Sequence, residues 1–206
     1  MENKLIRATA LVLATRLNKY THKEGLEFEK LVLGMEIFLI NVSKMIVVYL
    51  LAVLLGIVPI TLIVQGAYVV IKRYSFGLHA LNTSVCTLGS CIMFVGLPWL
   101  LQGVAINVYM VVMAFVPFII CLYLYAPADT EARPLVGRKN RVRLKKRAVV
   151  SGIVLMIVAM IVPSEAVKFL IVLGASYQVI SILPITYKIL RRSKNNYEVY
   201  EVSILN

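Results

Sequence analysis

The sequence predicts an all-α protein: a polytopic integral membrane helical bundle with about six membrane segments and an N-terminal amphipathic helix. Three observations carry this. Of the 206 residues, 60% are hydrophobic and the mean hydropathy is +0.86, far above the usual globular mix. The apolar residues gather into runs, several of which approach the roughly 20 residues that a bilayer core of ~30 Å requires. The Lys and Arg residues lie almost entirely between those runs. A variant with four full spans and two re-entrant segments fits the same pattern. In either form residues 1–206 make one membrane-embedded domain.

The net charge of +12 raises nucleic acid as a partner, but no basic face interleaved with aromatics and no nucleic-acid motif accompanies it. The simpler source is orientation, with cationic loops kept on the cytoplasmic side and attracted to anionic lipid. The three cysteines, Cys86, Cys91 and Cys121, form no CxxC pair, and no histidines cluster with them. Neither a metal site, a disulfide framework nor a cofactor is indicated. The opening residues lack a clean apolar core and a small-residue cleavage site, so they are not expected to be a removable signal peptide.

Along the chain, residues 3–20 alternate Leu5, Ile6, Leu11 and Val12 with Lys4, Arg7, Arg16 and Lys19 at helical spacing, as for an amphipathic helix lying on the inner surface. Within this N-terminal segment, 1–30, Thr21 and Glu24 read as a cap for the next helix, and His22 as a solvated loop residue. Residues 31–58 form a long apolar run that carries Glu36 and Lys44 on about one helical face, with Asn41 between. Such charges face a bundle interior or snorkel to the interface. Gly56 and Pro59 interrupt the run, and a short second segment returns the chain to Lys72.

A third span covers 84–101, with Trp99 at its far interface, and a fourth covers 103–126. The basic loop 127–147 holds eight Lys or Arg, namely Arg133, Arg138, Lys139, Arg141, Arg143, Lys145, Lys146 and Arg147, against Asp129 and Glu131. A fifth span runs over 148–162 and a sixth over 166–187, before Lys188, Arg191, Arg192 and Lys194. With six crossings, all four basic segments fall on one side, and Lys168 is the sole basic residue near the opposite connections. By the positive-inside rule both termini and the stretch 72–86 are cytoplasmic, in a multi-pass protein of the cell membrane.

That stretch, Lys72 to Cys86, is where chemistry concentrates. His79 and Cys86 are seven positions apart, which on one straight helix separates them by about 10 Å, too far for proton transfer. Gly77 permits unusual backbone angles, and Asn82, Thr83 and Ser84 are good N-cap residues before an apolar run. A helix starting there places Cys86 in its first turns and leaves His79 on a loop able to fold back. A helix N-terminus with Lys72 and Arg73 nearby favours thiolate. His79 would take and return a proton, and the free N–H groups would stabilise an oxyanion. Nucleophile, base and oxyanion donors together suggest a cysteine peptidase or acyl transferase. Cys91 and Cys121 lie inside apolar spans and read as packing residues.

The spacing Arg73, Gly77, His79, Ala80, Cys86 resembles the signature of the accessory gene regulator B family, membrane endopeptidases of Gram-positive quorum sensing. The resemblance continues through Tyr125-Ala126-Pro127-Ala128, Pro134 and the basic run to Arg147. It implies a protein that removes the C-terminal tail of a small membrane-associated pro-peptide through an acyl-thioester and releases a thiolactone or lactone. Cys86 would then be the nucleophile and His79 the general base, with Arg73 and Gly77 supporting the site. The apolar helices would hold an amphipathic leader, and Arg138, Lys139, Arg141, Arg143, Lys145, Lys146 and Arg147 would attract an acidic tail. The resemblance also implies a homodimer. The alternative from another class is a non-enzymatic transporter or scaffold in which Glu36, Lys44 and the glycines line a path.

Overall fold

In the computed structural model, the structure describes residues 4–78, 83–130, 135, 137–193 and 196–198. His79, Asn82, Glu131, Arg133, Pro134 and Lys194 lie outside the described residues. The described residues are helical apart from turns, loops and isolated bridges, among them that between Phe76 and Ala128. The helices are α1 (Lys4–Thr21), α2 (Leu26–Leu54), α3 (Val58–Ser75), α4 (Thr83–Cys91), α5 (Leu97–Leu100), α6 (Val108–Tyr125), α7 (Arg138–Ile161), α8 (Glu165–Ile182) and α9 (Pro184–Ile189). Three of these, α2, α6 and α8, are long and apolar enough to cross a membrane, and Ser84–Leu100 forms a shorter apolar stretch. Large apolar side chains such as Ile46, Leu50, Val53, Met113, Val116 and Ile120 stand exposed on α2 and α6. A surface of that kind suits lipid, not water.

The N-terminal segment is a helix, as its periodicity predicts, but the capping differs from expectation. Thr21 is the last residue of α1, and Gly25, at φ 54°, precedes α2 without a side-chain cap. Asn18 closes the turn instead, donating from Nδ2 to the Lys23 carbonyl (2.9 Å) and accepting from the Lys23 amide (2.8 Å). His22 is exposed, in keeping with a loop residue. α1 folds back along the first half of α2, burying Ala10 and Ala14. Arg7 reaches Glu36 at 3.9 Å.

The expected segments shift where proline and capping chemistry intervene. The short second segment is in fact the 18-residue helix α3, which carries Pro59 in its first turn, where a missing N–H costs nothing. The third is broken by a π-helical turn, Ile92–Gly96, ahead of Pro98 in α5; the Leu97 amide reaches back to the Ile92 carbonyl. The wider turn accommodates a residue that cannot donate. The fourth begins at Val108 and not at Gly103, because Asn107 caps it by accepting from the Met110 amide at 3.0 Å. Residues 138–147, expected within a loop, form the first turns of α7. The sixth segment stops at Ile182, since Pro184 disfavours helix in the residue before it, and restarts as α9.

α3 and α8 share the most extensive helix contact, followed by α6 with α7. Gly174 is what lets α3 and α8 approach. A Cβ there would stand 2.2 Å from the Val64 carbonyl oxygen and 2.8 Å from Ala67 Cβ. The core forms two clusters, one around Ile71, Phe115, Leu122, Ile182 and Tyr187, the other around Val48, Val64, Phe94 and Tyr177. The second cluster ties α2 and the π turn to α3 and α8.

Gly174→Ala is expected to lower stability by about 1–3 kcal/mol, because backbone must move to admit one methyl group. Gly66→Ala, on the same α3 but with nothing within 4 Å of its added Cβ, should be neutral or stabilising. Thermal unfolding of the two variants in detergent checks the contrast.

Candidate functional site

Cys86 lies on α4, whose described residues run from Thr83 to Cys91. The Cys86 carbonyl accepts from Ser90 Oγ at 2.8 Å within the helix. The sulfur has a partner that sequence spacing did not single out for it: Lys44 Nζ, on α2, donates to Cys86 Sγ at 3.0 Å. α2 is held at that level by a neighbouring chain of bonds, Tyr49 Oη to Gln65 Oε1 (2.6 Å) and Gln65 Nε2 to Met45 Sδ (2.8 Å). From α3, Lys72 and Tyr68 lie within electrostatic reach of the same sulfur. Lys72 Nζ donates to the Tyr68 hydroxyl and stands 4.7 Å from its ring centroid. The Tyr68 ring in turn packs edge-on against Phe94 at 5.1 Å, and Phe94 against Tyr177 at 6.2 Å. That aromatic row anchors the far end of the Cys86 helix to α3 and α8.

The backbone entering the His79 segment is clamped, and the clamp explains Gly77. Phe76 and Gly77 both take positive φ, 58° and 104°. The Gly77 amide donates to the Ala128 carbonyl, and the Ala128 amide to the Ser75 carbonyl, each at 2.9 Å. Gln178 Nε2 donates to the Phe76 carbonyl at 2.6 Å and to Ser75 Oγ at 2.7 Å. A Cβ on Gly77 would stand 2.6 Å from Ser181 Oγ, so both conformation and space require glycine. The Tyr125–Ala128 segment noted in the sequence is therefore the strut for residues 75–78. His79, one residue past Leu78, is outside the described residues, as is its distance to Cys86.

Arg73 is exposed at the end of α3. Its guanidinium stands 5.9 Å from the Tyr74 ring centroid, and that of Arg147 stands 5.8 Å from the same ring. The seven basic residues of 138–147 divide by their surroundings. Arg138, Lys139, Arg143, Lys146 and Arg147 are exposed, whereas Arg141 and Lys145 are half-buried. Arg141 stacks 3.8 Å over Tyr197 and donates to the Leu135 carbonyl, and Lys145 lies 5.5 Å from the Tyr123 ring. Buried Asp129 fastens this region, accepting from the Tyr187 hydroxyl on its carbonyl and from the Tyr197 amide on Oδ2, both at 2.9 Å. Glu36 is paired with Arg7 and lies away from Cys86 along α2. Among the described residues no group of three His, Cys, Asp or Glu side chains gathers to hold a metal.

Sequence reasoning thus missed Lys44 as a partner of Cys86, and Gln178 and Ser181 as the clamp. Lys44 did carry a signal, a lysine inside an apolar run. Gln178→Leu is expected to leave the Phe76 carbonyl unpaired and loosen 75–78 by about 1–3 kcal/mol. Faster amide hydrogen exchange at Gly77 and Ala128, with α6 unchanged, is the measurement that checks it.

The family model described as accessory gene regulator B matches residues 10–182. An AgrB-like protein of Clostridium acetobutylicum is 42% identical over 203 residues, covering 98% of this chain and 97% of that protein. An AgrB-like protein of Listeria monocytogenes serotype 4a is 45% identical over 82% of each chain. The accessory gene regulator protein B of Staphylococcus intermedius is 34% identical over 84% of this chain and 91% of its own. No solved structure matches. With the family match running from α1 to the end of α8 and relatives alike over most of their lengths, this membrane protein belongs to the accessory gene regulator B family.

Proposed function

We propose that the chain is a membrane cysteine endopeptidase and acyl transferase of peptide quorum sensing. It cuts the C-terminal tail from a small amphipathic pro-peptide and cyclises the remainder to a thiolactone or lactone. The observation that carries this reading is the cysteine on α4 with an ammonium group donating to its sulfur at 3.0 Å. Family membership supports a role in quorum sensing.

In this reading Cys86 Sγ attacks the scissile carbonyl, and His79, protonated at the start, gives its proton to the departing amine as the C–N bond breaks. His79 next takes the proton of the peptide's internal thiol or hydroxyl, which attacks the thioester. The ring closes, the bond to Cys86 breaks, and the electron pair returns to Sγ. A thioester is less stable than an amide, so water must be kept away between the two steps, which a site walled by apolar helices favours. Gly77 and the Ala128 strut hold the chain entering His79, and Arg73 lies beside the membrane surface. By charge, both termini and the site face the cytoplasm. The exposed Arg138, Lys139, Arg143, Lys146 and Arg147 then face anionic lipid and the acidic tail of the peptide, and the working unit is a homodimer. The transporter alternative loses ground because Glu36 and Lys44 are each engaged with a side chain, Arg7 and Cys86.

Cys86→Ala and His79→Ala should each cut processing of a synthetic pro-peptide, with an amphipathic start, a central cysteine and an acidic end, by at least about a thousandfold. Membrane insertion should be unchanged. Mass spectrometry of peptide added to proteoliposomes reads the outcome, and normal processing by Cys86→Ala would sink the proposal. Arg143→Glu combined with Lys146→Glu should slow cleavage several-fold at low ionic strength, and the deficit should shrink as salt is added.

A further inference from the structure

We infer that Lys44 is a catalytic residue of the Cys86 centre, the counter-cation for Sγ both when the sulfur attacks and when it leaves. The inference rests on the reading of Cys86 as nucleophile. Its basis is the 3.0 Å bond from Lys44 Nζ to Cys86 Sγ, made between two different helices, α2 and α4, that pack together.

A lysine far from the ends of a long apolar helix is costly and is retained where it meets a partner. Lys44 is half-buried, and the residues that follow it, Met45, Ile46, Val47 and Val48, are apolar. The nearby cation on α3, Lys72, is directed to the Tyr68 hydroxyl and ring. Lys44 is therefore the group whose ammonium donates to the sulfur. Its reach is set by the Tyr49, Gln65 and Met45 chain, which fixes α2 against α3 one residue along. An ion pair in a site shielded from water is worth much more than one at an exposed surface.

The charge balance of the cycle shows where this counts. The attacking form carries the sulfur as thiolate beside Lys44, with the thiol proton on His79. Attack forms the C–S bond and moves the carbonyl electron pair to oxygen. Collapse breaks C–N, and the tail amine takes the His79 proton. The sulfur, now a thioester, is neutral. In the second half His79 accepts the proton of the internal nucleophile, which attacks the same carbonyl. The C–S bond to Cys86 breaks, and the electron pair returns to Sγ beside the Lys44 ammonium. Lys44 transfers no proton at any step. It lowers the energy of the anionic sulfur as nucleophile in the first half-reaction and as leaving group in the second.

The test uses the full chain in nanodiscs of anionic lipid and needs no peptide for its main readout. Iodoacetamide alkylation of Cys86, Cys91 and Cys121 is followed by mass spectrometry from about pH 6 to 10. Cys86 should react fastest in the wild type. Lys44→Met should slow Cys86 at neutral pH by about tenfold, with a deficit that narrows as pH rises. Lys44→Arg should restore most of the rate, and Cys91 and Cys121 should not change. Lys44→Gln serves the same purpose if Lys44→Met does not fold. An unchanged Cys86 rate across the pH range, or equal change at all three cysteines, overturns the inference. The synthetic pro-peptide separates the two readings. Lys44-dependent alkylation with normal processing by Cys86→Ala overturns the endopeptidase reading and Lys44's catalytic part with it. Alkylation indifferent to Lys44 with processing lost in Cys86→Ala overturns this inference alone.

Discussion

The close approach of α3 and α8 at Gly174 is the constraint on which the rest of the bundle depends. With the Val64 carbonyl where a side chain would otherwise stand, the two helices run nearly in contact, and small residues such as Ala67 and Ala175 complete the seam. In lipid, where no hydrophobic force drives helices together, such small-residue packing and interhelical hydrogen bonds supply the association. The seam brings Gln178 to the end of α3, where it meets Ser75 and Phe76. Without that proximity the positive backbone angles at Phe76 and Gly77 would lose the Gln178 half of their clamp and keep only the Ala128 strut.

From this seam two separate supports reach the site. One is polar and runs through backbone: Ser75, Gly77 and Ala128 exchange hydrogen bonds, and Asp129 continues the strut to Tyr187 and Tyr197. The other is aromatic and runs through Tyr68, Phe94 and Tyr177 to the helix that carries Cys86. The two sides of the proposed dyad thus have independent anchors. Lys44 arrives from a third direction, on a helix whose contact with α3 is slight compared with that of α8.

Much of this was legible in the residues. Apolar runs gave the helices, and the cluster of Asn82, Thr83 and Ser84 read as a helix start before Cys86, which lies on α4 within its described residues Thr83–Cys91. Gly77 read as a residue permitting unusual angles, and its φ is 104°. What spacing could not give was contact between distant segments. Lys44 and Cys86 are 42 residues apart and Gln178 and Ser75 are 103 apart, and no periodicity within one helix encodes which face of another it meets. Element boundaries went astray where one side chain decided them, as Asn107 did for α6 and Pro184 for the end of α8. The basic residues 138–147 read as a loop because charge outweighed their compatibility with helix. Arg and Lys are good helix formers once solvated, and the helix they open continues into the apolar span.

The π turn at Ile92–Gly96 carries a consequence for tolerance to change. It spends one more residue than an ordinary turn, so the portion bearing Cys86 and the portion bearing Pro98 and Trp99 keep separate angular phases about a shared axis. Each end can be tuned to its own surroundings, one to the lysine and aromatic partners of Cys86 and the other to those of Pro98 and Trp99. Removing a single residue there would rotate one end by about 100° against the other, whereas the same deletion in the loop ahead of Asn107 would leave the Cys86 helix untouched.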